Sequence, residues 1–264
     1  MIFYSSIEPV YYLLPLFGLV IGLFGTMLGG GGGFFFLPIL TLILKVPTQT
    51  AVITSLVATL PICLVGSWGH FRKNNIDMRM AVLFALSGVA GAFAGAGVTS
   101  LVSAAMLKIG FGVYSLFIAT NIAWKTWLHK PSFRIDGEPQ IHSVPEKLKG
   151  SFYGLFAGII TGTFGTSGTA PVLAGLFSMR IPLKMVIGTS MLVVLVNSLF
   201  ALGAHLMVGK IDLTLVGFLT AGSTIGALAG PVLLVKAKTD HSESKVRYGY
   251  AVVMAALGIL MIIG

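Results

Sequence analysis

Charge is the scarcest feature of this sequence. Of its 264 residues only 9% are charged while 56% are apolar, where soluble domains carry about 25% charged residues. An ordinary water-soluble fold is excluded. Cysteine is nearly absent too: Cys63 stands alone, so neither an internal disulfide nor a cysteine-based metal site is available, and it reads as a small buried side chain. The first ten residues, MIFYSSIEPV, contain no Lys or Arg, unlike a standard signal peptide. No Asp, Glu, Lys or Arg falls in the middle of any apolar segment. That removes a membrane-buried carboxylate relay and, with it, most intramembrane enzyme chemistry; the chain reads as a non-enzyme with no cofactor and no metal.

What is present is apolar sequence in blocks of roughly 20 residues, the length that crosses a bilayer as helix. The fold class is therefore an all-α polytopic membrane protein, with lipid as its surroundings. The net charge of +9 does not point to nucleic acid, because the basic residues sit between the blocks, where they report topology.

The chain also repeats itself. A shift of 135 positions lays Pro47 on Pro182, Thr54-Ser55 on Thr189-Ser190, His70 on His205, Ile76-Asp77 on Ile211-Asp212 and Gly91/Gly95 on Gly226/Gly230. Upstream, a shift of 136 lays Gly18, Gly22, Gly29 and Gly32 on Gly154, Gly158, Gly165 and Gly168. The division that follows is a first transmembrane repeat (1–128), a polar linker (129–149) and a second repeat (150–264). Each repeat holds five apolar segments, giving 8–10 membrane segments in all. The second of each five is too short for a normal crossing, so it is a short tilted helix or half of a re-entrant hairpin.

An odd number of crossings per repeat makes the two copies inverted. The basic residues support this. With odd crossings, Lys45, Lys108 and Lys210 lie on one face and the other 14 of 17 Lys and Arg on the opposite face. Even crossings would divide them 8 against 9. The positive-inside rule then places the linker in the cytoplasm and both termini outside a bacterial or archaeal cell membrane.

Residues 25–38, GTMLGGGGGFFFLP, break the first apolar stretch with five glycines, Gly29, Gly30, Gly31, Gly32 and Gly33, ahead of Pro38. The second copy breaks at 162–171, GTFGTSGTAP. Matched interruptions in inverted repeats mark a transporter's midplane site. Helices that restart after such breaks present unpaired N–H groups and a partial positive charge, which suits an anion. The hydroxyls available to line it include Thr54, Ser55, Thr166, Ser167, Thr169, Thr189 and Ser190, with Gly168 beside them and Asn197 at membrane depth in need of a partner. Other matched features read as structural: Gly91/Gly95 and Gly226/Gly230 as helix-packing surfaces, Asp77 and Asp212 as helix N-caps, His70 and His205 as interface residues.

The stretches GTMLGGGGGFFFLPIL, GTFGTSGTAPVL and VIGTS (186–190) resemble the TauE/SafE sulfite exporter family, also called the 4-toluene sulfonate uptake permeases. The resemblance covers essentially the whole chain. It implies a permease for a sulfur-containing oxyanion or organosulfonate, such as sulfite or sulfoacetate, with Gly29 to Gly33, Thr54-Ser55, Thr166 to Thr169 and Thr189-Ser190 as site residues. Alternating access at a midplane site is the leading mechanism; a passive anion channel through the same site is the alternative. Oligomeric state, transport direction and coupling ion are left open.

Overall fold

The computed structural model describes residues 2–27, 29–128, 144–179, 181–206, 211–236 and 240–264. Most of the linker, with Lys130 and Arg134, and the basic residues Arg180, Lys210 and Lys238 lie outside the described residues. Ten helices follow in order: α1 (Leu14–Met27), α2 (Gly33–Pro38), α3 (Thr48–Arg72), α4 (Met78–Leu101), α5 (Ala104–Trp127), α6 (Val144–Phe164), α7 (Thr169–Ser178), α8 (Leu183–Leu206), α9 (Leu213–Lys236) and α10 (Asp240–Ile263). Among the described residues, five helical spans are long and apolar enough to cross a membrane: Pro9–Thr26, Thr48–Arg72, Met78–Leu101, Ala104–Trp124 and Leu183–Leu206. Large apolar side chains such as Leu64, Trp68, Leu86, Phe117, Trp124 and Val252 remain exposed, as a multi-pass membrane protein requires where it meets lipid.

Helix ends follow local chemistry. Asp77 caps α4, its carboxylate accepting from the N–H groups of Arg79 (3.0 Å) and Met80 (3.1 Å). Asp212 does the same for α9 through Thr214 (3.0 Å) and Leu215 (3.4 Å). Both were expected as N-caps. Beyond α2, Pro38 lacks the N–H needed to continue the regular ladder, and residues Ile39–Ile43 form a wider π turn.

Packing pairs each of the eight long helices with one from the other half of the chain. α4 runs alongside α6, with Gly91 against the Leu155 carbonyl, Gly95 against that of Ile159, and Gly158 against that of Gly88. α1 runs alongside α9 in the same way: Gly18 meets Leu219, Gly22 meets Ser223, and Gly226 meets Leu19. In each case a Cβ would collide with backbone, so only glycine allows this approach. Gly91, Gly95 and Gly226 thus hold the packing role expected of them. α5 pairs with α10, and α3 with α8.

The short helix α7 doubles back. Gly168 lies against the Ala157 carbonyl, Gly175 against Tyr153, and Gly150 against Met179, so α7 descends along the helix that precedes it. Its Val172 and Leu176 are buried in a cluster with Phe84, Ala157 and Val193. In the first half, Gly25 and Ile21 of α1 likewise abut Gly32 at the start of α2.

Candidate functional site

The two glycine breaks meet. A Cβ on Gly33 would sit 3.0 Å from the Ser167 nitrogen, and one on Gly30 would overlap Thr169. The Thr169 hydroxyl donates to the Gly30 carbonyl at 3.2 Å. Left-handed backbone is concentrated here, with φ of +74° at Gly29, +64° at Gly31, +69° at Gly32 and +62° at Gly165. Side-chain-bearing residues rarely adopt that region, so these four positions need glycine.

Side chains from α3 and α8 then fasten each break. Ser55 on α3 donates to the Gly165 carbonyl (2.7 Å) and lies 3.2 Å from that of Gly33. Ser190 on α8 donates to the Gly29 carbonyl (2.9 Å). Ser190 is the repeat partner of Ser55, and Gly165 the repeat partner of Gly29. The same bond is therefore made twice, each time from one half of the chain to the other. The apolar contacts follow suit: Gly165 rests on Val52 and Gly29 on Ile187, again matched positions.

These bonds determine what each hydroxyl can still do. A Ser or Thr hydroxyl has one proton to donate. Those of Ser55, Ser190 and Thr169 go to backbone carbonyls. Thr189 lies elsewhere, its oxygen accepting from the Asp77 N–H at 2.9 Å where α4 begins. Among the described residues the matched hydroxyl of Thr54 has no partner, and neither do the Thr166 hydroxyl and both amide atoms of Asn197. All three side chains are fully buried.

Residues 14–261 match the family described as Sulfite exporter TauE/SafE. The chain belongs to that family. It is 26% identical over 222 residues to the probable membrane transporter protein YdhB of Bacillus subtilis, covering 84% of this chain and 87% of that one. It is 28% identical over 201 residues to the probable membrane transporter protein MJ0441 of Methanocaldococcus jannaschii, covering 74% and 72%. A probable membrane transporter protein of Xylella fastidiosa is 27% identical over 249 residues, 92% of each chain. No solved structure matches. The chain is thus a multi-pass membrane transporter, and a family of sulfite exporters implies a small anion as substrate.

Some contributors to the junction of the two breaks were not legible in the sequence. Thr161 holds the turn before α7 by accepting from the Gly168 N–H (2.9 Å) while donating to the Ala157 carbonyl (2.8 Å). Cys63 is buried as expected, but its sulfur faces Gly31. Phe34 and Phe164, which flank the two breaks in sequence, both pack on Phe111 (ring centroids 4.8 and 5.9 Å). An aromatic immediately beside each break was the available signal for that wall.

Proposed function

We propose that this chain is a secondary transporter for a small sulfur-containing anion, such as sulfite, sulfoacetate or another organosulfonate, bound where the two breaks meet. The observation behind this is the division of labour at that junction. The carbonyls of Gly29, Gly30 and Gly165 are taken by hydroxyls, which removes groups that would repel an anion. The helical runs Gly33–Ile43 and Thr169–Ser178 start there, and neither start has a side-chain cap. Their first-turn N–H groups and partial positive charge favour an anion without any buried cation. Ser55, Ser190 and Thr169 build this site, whereas Thr54, Thr166 and Asn197 retain donors for a ligand.

In this reading the halves are inverted repeats, and the α1–α2 and α6–α7 pairs are re-entrant hairpins reaching the midplane from opposite faces. The exchange of partners between halves, α4 with α6 and α9 with α1, supports it. So do the end contacts: Ile2–Phe3 pairs with Ile211–Asp212, and Lys108 reaches the Gly264 carbonyl at 3.5 Å. Both contacts fall on the face assigned to the outside. Movement of the bundle that holds α4 and α6 against the one that holds α1 and α9 would expose the junction to each side in turn.

Counterflow in proteoliposomes tests the proposal. Labelled sulfite should enter vesicles preloaded with unlabelled sulfite or sulfoacetate, saturably and by exchange. Ohmic anion currents without exchange would assign the site to a channel, and inertness toward a panel of sulfur anions would remove the transport reading.

A further inference from the structure

We infer that Asn197 and Ser198, on α8, select a sulfur oxyanion that still carries a hydrogen-bond donor of its own, either a protonated oxygen or a hydroxyl or amino group on an organic tail. The inference rests on the transport reading above and specifies what its site accepts.

Both residues are fully buried, and Asn197 Oδ1, Asn197 Nδ2 and Ser198 Oγ have no partner among the described residues. Asn197 lies on the face of α8 that serves the site. Seven residues earlier, about 10 Å along the helix, Ser190 holds the Gly29 carbonyl of the first break. Eight residues later, His205 Nε2 lies 2.7 Å from the carbonyl of Gly162, in the last turn of α6 before the second break. The amide is thus bracketed on one helix face by contacts to both interrupted regions. Gly88 of α4 makes the room: a Cβ there would fall on the amide.

The donor requirement follows from the chemistry of an amide. Nδ2 offers hydrogens and Oδ1 offers lone pairs. A fully deprotonated oxyanion presents acceptors alone. It would satisfy Nδ2 and turn negative oxygen toward Oδ1, and rotating the amide merely exchanges which atom is opposed. A ligand bearing both oxygens and an O–H or N–H satisfies the pair, and Ser198 can serve either group. The repeat partners of Asn197 and Ser198 are Ile62 and Cys63, so this capacity exists on the α8 side only and orients the ligand. For sulfite, the accepted species is the protonated monoanion. Each anion then moves with a proton although no Asp, Glu, Lys or Arg falls in the middle of any apolar segment.

The test uses the full chain in proteoliposomes, with sulfite counterflow competed by isethionate or ethanesulfonate, which differ by one hydroxyl. Isethionate should compete roughly tenfold or more better, as sites built around a ligand hydroxyl discriminate strongly. Sulfite flux should fall as pH rises through its last protonation. Asn197→Leu should bring the two sulfonates to parity while ethanesulfonate still competes; Ser198→Ala, a gentler change, should narrow the ratio if the leucine variant does not insert. Equal competition on the unchanged chain, or sulfite flux level across that pH range, would overturn the inference and leave the transport reading standing. An anion-bound map with an ordered water satisfying both amide atoms would overturn it as well. Absence of exchange by every sulfur anion would instead remove the transport reading.

Discussion

At the level of single residues, the site depends on which way each hydroxyl directs its proton. Ser55 is the plainest case, because it donates across the halves to the Gly165 carbonyl of the second break. Ser55→Ala leaves that buried carbonyl without its donor, which costs about 1–3 kcal/mol. It should lower the melting temperature of the detergent-solubilised protein and weaken transport only through that loss. Thr166→Val should behave oppositely, since its hydroxyl has no protein partner: the melting temperature holds while the apparent affinity for sulfite falls severalfold. Equal thermal losses in both variants would remove the distinction between builders and binders. The repeat made Thr54-Ser55 and Thr189-Ser190 visible in the sequence as a matched set. It did not show that the four hydroxyls do different work, because a proton's direction depends on backbone that is distant in sequence. Ser55 meets Gly165 across 110 positions and Ser190 meets Gly29 across 161.

At the scale of helices, glycine performs two separate jobs. On α1, α4, α6 and α9 it lets backbones touch; in the breaks it permits left-handed turns. The first job was legible from the four-residue spacing of Gly91 and Gly95. The second was legible only as an interruption, since five consecutive glycines do not announce which of them turn. Gly29, Gly31 and Gly32 do, and in the second copy Gly165 alone does. The bend of α7 back along α6 was one of two readings of a segment too short to cross. Contacts such as Gly168 with Ala157 lay it antiparallel to α6, and these require the folded chain. Gly158→Leu should abolish the folded monodisperse protein, because the side chain would enter the Gly88 backbone. Gly97→Leu, at an exposed position with open space around it, should be tolerated. Size-exclusion profiles of the two variants check this; a well-behaved Gly158→Leu protein would refute the close packing of α4 and α6.

Across the whole molecule, the two halves are interleaved, each supplying helices to the other's bundle. A sequence repeat shows that two copies exist but not that they exchange partners. The small-residue faces hinted at close neighbours without naming them. Partner exchange makes the halves interdependent, so coexpression of 1–128 and 150–264 as separate chains should yield a complex, while neither half alone should give a soluble, monodisperse species in detergent. Recovery of one half as a folded unit would show that the interleaving is not needed for stability.

Inversion of the two halves is the proposition on which the anion site, its paired hairpins and the rocking mechanism all depend. Site-directed labelling tests it directly. In a Cys63→Ser background, single cysteines placed at Ser132 in the linker and at Gly264 are exposed to a membrane-impermeant thiol reagent applied to intact cells. The account predicts labelling of the cysteine at 264 from outside and of that at 132 only after the membrane is opened; labelling of both from the same side would contradict it.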